Sequence, residues 1–252
     1  MTDLGYGRQF ADFYDRIFPG GPAAEPAVAY LADLHPGDGR STLELGVGTG
    51  RIALPLADRV GEIVGVDSSP EMLDVLRAAL KDQPRPVTPV DGDIRDWADH
   101  RSYGLVYCIC GTLSMLLDPA EQQQTITAAA ARLDPGGTLV VETHNPDFAV
   151  HVINQGRARD SYLIPYPGRD TGLLSYSTID VANRIWQLTH LWIEDGRSRI
   201  ASEVSRLTTA EEVDAYAENA GLILAARHSD WFGNEFTGVE PMYVSVYRHR
   251  GE

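Results

Sequence analysis

The 252-residue chain has little cysteine, little basic charge and no long apolar run, and each shortage removes a class of function. Its two cysteines, Cys108 and Cys110, stand two apart in an apolar segment, so in a strand they share a face and make poor disulfide partners. Paired CxxC motifs are missing and the seven histidines form no HxxxH pair, which leaves no structural metal to expect. No apolar stretch is long enough to cross a bilayer, and the opening Met1–Gly7 lacks the basic and apolar blocks of a secretory signal, so a cytoplasmic protein is expected. Lys and Arg number 21 against 36 Asp and Glu, a net charge of −15, which repels nucleic acid and anionic membranes; neither is an expected partner. The densest basic group outside helices, Arg157, Arg159 and Arg169, reads as solvated surface, with a phosphorylated acceptor as its alternative use.

What is present is an α/β grammar. Thr42–Leu45 reads as a buried strand and Arg51–Val60 as a helix; Ile63–Asp67 is a second strand, followed by a Ser-Pro-Glu start to a helix over Met72–Leu80. The pattern repeats with strands over Thr88–Asp93, Leu105–Cys110 and Thr138–Glu142, a helix over Glu121–Leu133, and a turn at Asp134–Gly137. Such alternation implies a doubly wound parallel sheet. After residue 146 a loop rich in Tyr, Pro, Gly and Arg leads to three antiparallel strands, Leu173–Ile179, Arg184–Ile193 and Ser198–Leu207. A helix over Thr209–Ala220 and strands Leu222–His228 and Met242–Arg248 complete the chain. The expected organisation is one core, 1–145 with 208–252, carrying an inserted antiparallel β cap at 146–207.

Between the first strand and helix lie Gly46, Gly48 and Gly50, which let the backbone turn tightly and a ligand approach closely. A dinucleotide fingerprint would need glycine where Arg51 stands, and Glu44 precedes the turn instead, which weighs against a nicotinamide oxidoreductase. Asp67 ends the second strand, where its carboxylate can accept from both hydroxyls of a ribose. Gly92-Asp93-Ile94 ends the third, where an acid beside an apolar side chain suits an adenine. Either acid alone has a structural use as a helix cap; the ordered set is more specific.

These residues resemble the class I S-adenosylmethionine-dependent methyltransferases. The resemblance rests on Leu43–Gly50, Val66–Leu73, Gly92–Arg95 and Leu133–Gly137, and covers residues 10–143 most closely. It implies a seven-stranded, mostly parallel Rossmann-like sheet with an antiparallel last strand, and S-adenosylmethionine as cofactor, S-adenosylhomocysteine as product. It further implies a cofactor site of Tyr14, Glu44, Gly46, Gly48, Gly50, Arg51, Asp67, Ser68, Met72, Gly92, Asp93, Ile94, Cys110, Gly111 and Leu113. The Phe10–Asp15 opening and the inserted strands are similar to small-molecule enzymes of actinobacterial secondary metabolism, aminosugar N-methyltransferases among them; a small-molecule acceptor and a monomer or homodimer are expected for this chain. O- or C-methylation of another natural product, and a cofactor-binding protein that has lost the reaction, are the competing readings.

With cofactor over the first three strands, an acceptor belongs over the fourth and fifth, beside Thr112, Ser114, Glu142, His144 and Asn145, with Tyr6, Trp231 and Phe232 as further wall residues. Methyl transfer from a sulfonium is an in-line displacement that positioning alone accelerates, so a base is optional. His144 is the candidate proton acceptor, with a hydrogen-bonded loop residue as its plain alternative. Phe10, Phe13, Tyr14 and Ile17 fall at helical spacing and read as an amphipathic helix on the core, Tyr14 being the member able to touch the reacting groups. Trp186 and Trp192 share a strand face and read as cap packing.

Overall fold

Strands β1 (Thr42–Leu45), β2 (Ile63–Asp67), β3 (Val87–Asp91), β4 (Tyr103–Cys108) and β5 (Leu133–His144) are paired parallel in a computed structural model of the chain. The structure describes residues 6–251 except 98, 167 and 169, so Met1–Gly5 and Arg169 lie outside the described residues. β10 (Leu222–His228) and β11 (Met242–His249) join antiparallel to give a seven-stranded sheet of order β10-β11-β5-β4-β1-β2-β3. β1 and β4 are buried on both faces, as central strands of a doubly wound sheet must be.

Alternate strand residues feed two cores. Leu43, Leu45, Val106 and Val141 meet Ile126 of α6 (Pro119–Ala130) and Val213 of α7 (Ala210–Asn219) on one face. Ile63, Leu105, Tyr107 and Val140 meet Leu31 of α3 (Glu25–Leu34), Leu56 of α4 (Ala53–Val60) and Leu76 of α5 (Pro70–Asp82) on the other. The expected Asp134–Gly137 turn is looped out of β5: the partner of Tyr103 is Leu133 and that of Leu105 is Thr138.

A second sheet, four-stranded and antiparallel, comes from the chain between β5 and α7: β6 (Arg159–Pro165), β7 (Gly172–Asp180), β8 (Ile185–Glu194) and β9 (Arg197–Arg206). Two expectations are corrected here. The stretch read as a loop contains a π-helical turn, Phe148–Ile153, and the edge strand β6. β6 is mostly exposed, so it needs no apolar alternation and left none to read. The expected N-terminal helix is two short ones, α1 (Tyr6–Phe10) and α2 (Tyr14–Ile17), broken at Phe13. Their apolar residues do not pack on the main sheet: Phe10, Phe13 and Ile17 form a separate cluster with Met72, Leu173, Trp192 and Ala201, joining α5 to the second sheet.

α7 is fixed at its start by a reciprocal cap, in which Thr209 Oγ1 accepts from Glu212 N at 3.2 Å and Glu212 Oε2 accepts from Thr209 N at 3.0 Å. Glu212 also pairs with Arg206 at the end of β9, so the cap ties the two sheets together. Replacement Thr209→Ala is expected to cost about 1 kcal/mol in urea denaturation, with cofactor affinity unchanged.

Candidate functional site

The glycine turn after β1 is shaped by backbone, with Gly46 at φ 83° and Gly50 at φ 81°. Gly46 has a second constraint: a Cβ there would lie 2.4 Å from Thr112 Cγ2. Gly48, at φ 54°, faces open space, its Cβ position meeting nothing within 4 Å. The turn is pinned to the end of β2. Val66 O accepts from Gly46 N and Val47 N, and Asp67 Oδ2 accepts from Gly48 N at 2.8 Å. Asp67 Oδ1 accepts from Ser69 N at 2.9 Å, and burial raises the Asp67 carboxyl above the ordinary range. Ser69 in turn caps α5 by accepting from Met72 N.

Behind the turn, Glu44 is 3 % exposed and accepts from Tyr107 Oη at 2.8 Å. Burial pushes its carboxyl up to about 8, against the opposing pull of Tyr107 and Arg51. Arg51 donates to Cys110 Sγ at 2.7 Å, and Thr49 Oγ1 donates to Asp15 Oδ1 at 2.7 Å, which docks α2 onto the turn. Asp93 is held by Arg95, whose Nε donates to it at 2.9 Å and whose other end pairs with Glu121.

These elements surround a cavity of about 380 Å³. Of the sequence-derived cofactor residues, Tyr14, Glu44, Gly46, Gly48, Arg51, Asp67, Ser68, Met72, Asp93, Ile94 and Cys110 line it. Four stand back from it. Gly50 packs on Leu54 and Leu76, Gly92 on Trp97 and Gly111 on His144, while Leu113 is fully buried in the sheet core.

A second cavity of about 580 Å³ lies between the second sheet, the Phe148–Ile153 turn and the end of β5. Cys110 and Thr112 face the first cavity, and His144, packed beside Gly111, faces the second, so the 110–112 turn is a wall that both share. Burial lowers the His144 imidazole, which favours its neutral form.

The sequence-derived acceptor residues divide. Tyr6 and Thr112 line the first cavity, His144 and Asn145 the second. Asn145 is already engaged: its Nδ2 donates to Gly238 O and Glu240 O, and its Oδ1 accepts from Asp147 N. Ser114 shares a buried hydrogen bond with Thr143. Glu142 accepts from Cys110 N and from Trp231 Nε1, each at 2.8 Å, so it and Trp231 brace the shared wall from behind. Phe232 is 76 % exposed and lines neither cavity. Trp186, buried as expected, also lines the second cavity, edge-on to His144 at 5.1 Å. The reading of the sequence missed His190 and Glu203, which line it too. A signal existed for His190, since positions 186, 188, 190 and 192 share one face of β8, but only the tryptophans were read from it.

Residues 42–137 match a methyltransferase-domain family. The CcbJ methyltransferase from Streptomyces caelestis superposes with a TM-score of 0.85 at 33 % identity, covering 98 % of each chain. Cypemycin N-terminal methyltransferase of a Streptomyces species is 28 % identical over 214 residues, 83 % of each chain. The dTDP-3-amino-3,6-dideoxy-α-D-glucopyranose N,N-dimethyltransferase of Streptomyces fradiae is 31 % identical over 141 residues, 54 % of each chain. The chain belongs to the S-adenosylmethionine-dependent methyltransferases. It is an enzyme of that class, with S-adenosylmethionine as its cofactor.

The raised carboxyl of Glu44 predicts a pH dependence for cofactor binding. A group at about 8 is mostly neutral at pH 7, and a cation seated beside it favours the charged form, so binding releases a proton. Affinity for S-adenosylmethionine is therefore expected to rise as pH climbs toward about 8, by up to about tenfold per unit, and to level above it. Calorimetry in two buffers of different ionisation enthalpy measures the released proton, and Glu44→Gln is expected to abolish it.

Proposed function

We propose that the protein methylates an amine on a small secondary metabolite, an aminosugar or a related compound. The observation that carries this reading is the buried, neutral-favoured His144 on the wall between the two cavities, where it can take the proton that an attacking amine must lose. The names of two relatives, an N-terminal methyltransferase of cypemycin and an N,N-dimethyltransferase of an amino sugar, support nitrogen as the nucleophile.

The first cavity suits the cofactor in its donor set. Asp67 reaches a ribose diol, Asp93 and Ile94 take the adenine, and the open backbone at Gly48 admits the chain between them. Glu44 supplies a negative charge for the methionine end, with Arg51 and Cys110 beside it. Bound there, S-adenosylmethionine supplies an electrophilic methyl group on a sulfonium. Tyr14 and Tyr6 close this edge, and the N-terminal segment that carries them is fastened to the second sheet. Tyr166 Oη donates to Ile17 O at 2.9 Å, Arg199 pairs with Asp12, and Arg16 pairs with Glu194. The second sheet thereby acts as a cap over the acceptor, excluding water while the amine is aligned.

The reading is tested by mass spectrometry of methyl transfer to matched aminosugar and hydroxysugar probes. Addition of one or two methyl groups to the amine alone is expected; transfer to the hydroxyl compound instead would replace it with O-methylation. With the accepted amine, His144→Gln is expected to lower kcat by about tenfold or more while leaving cofactor affinity unchanged. An unchanged kcat would remove its role as proton acceptor.

A further inference from the structure

The inner face of the cap sheet is polar across its middle, where a sheet face that only packs would be apolar. Tyr162, Ser175 and His190 stand in one row across β6, β7 and β8, and Glu203 on β9 stands next to that row. Ser175 Oγ and His190 Nδ1 share a hydrogen bond of 2.7 Å, and His190 Nε2 lies 3.5 Å from Glu203 Oε1. The buried imidazole is thus fixed on one side and faces the carboxylate on the other.

Glu203 is poorly compensated by this arrangement. Its side chain is only 21 % exposed, and a single long contact to an imidazole does not replace the water a carboxylate has lost. Among the described residues no arginine or lysine lines the cavity, and the chain's one lysine, Lys81, lies on α5. The remaining wall is largely apolar, including Ile153, Leu173, Leu188 and Met242. The carboxylate acts electrostatically on Tyr6 and Tyr14, which line the first cavity, and on His144, which lines the second.

We propose that Glu203, held by His190, is the specificity-determining anion of the acceptor site: it binds the acceptor's nitrogen as an ammonium, and the site admits phosphate-free amines. The proposal rests on the amine reading above and narrows it. A nucleoside diphosphate carried by the acceptor would meet a carboxylate in a cavity without a paired cation, which is repulsive. In the reaction the ammonium gives one proton to His144, and the freed lone pair forms the N–CH3 bond. The carbon–sulfur electron pair leaves with the thioether, and His144 passes its proton to solvent.

Sinefungin tests this without any acceptor, because it carries an ammonium where the transferred methyl would be, whereas S-adenosylhomocysteine carries none at that position. Calorimetry is expected to show that Glu203→Gln weakens sinefungin by about tenfold or more while S-adenosylhomocysteine changes by less than about twofold. Glu203→Asp, which keeps the charge, is expected to recover most of the sinefungin affinity. An equal effect of Glu203→Gln on both ligands, or none on either, would overturn the role of Glu203. On the wild-type complex with S-adenosylhomocysteine, dTDP is expected to give no saturable heat up to about 1 mM. Saturable dTDP binding would overturn the exclusion of phosphates, whatever the variants do. Both readouts are binding equilibria, so a failure to methylate amines would sink the proposed function separately.

Discussion

The cofactor end of the molecule depends on the carboxylate of Asp67. It accepts from Gly48 N on one side and Ser69 N on the other, joining the glycine turn, the end of β2 and the start of α5 at one point. Burial raises its carboxyl even though these donors oppose the shift, so its environment favours a ligand that brings further hydrogen bonds. Glu44 repeats the design one strand over, with Tyr107 as its donor and a stronger burial penalty. Two under-solvated carboxylates beside an open backbone turn make a site for a ligand that carries both hydroxyls and positive charge.

The second cavity is built by different means. There the sheet contributes the shared wall at 110–112, braced from behind by Glu142 and Trp231. The other surfaces come from the antiparallel sheet and the segment around α1 and α2, joined to the core through Phe10, Phe13 and Met72. This second cluster lets the N-terminal segment answer to both halves: Thr49 holds it to the glycine turn and Arg199 holds it to β9. The N-terminal segment thus links the glycine turn of the first cavity to the second sheet.

Legibility in the sequence followed the same division. β1, β2 and the glycine turn read clearly because buried parallel strands leave continuous apolar runs and a tight turn demands glycine. The acids could be read as a set because Asp67 ends β2 and Asp93, expected to end the third strand, stands two residues beyond the observed end of β3 at Asp91. β6 was illegible, since an edge strand satisfied through its backbone alone imposes no pattern on its side chains. The break at Phe13 was hidden because the apolar spacing continues across it, serving a cluster with the second sheet instead of one helix face on the core. Glu203 was beyond reach for another reason: a single acid on an exposed-looking strand gains meaning only when folding sets it near His190 in a cavity that no described arginine or lysine lines.

In the proposed complex, Asp67 and the glycine turn hold the cofactor while the 110–112 turn presents its reactive end to the second cavity. A crystal structure of the complex with S-adenosylhomocysteine tests this arrangement most directly. Both ribose hydroxyls are expected within about 3 Å of the Asp67 carboxylate, with the sulfur beside the 110–112 turn and facing His144. A ribose remote from Asp67, or a sulfur directed away from the second cavity, would contradict it.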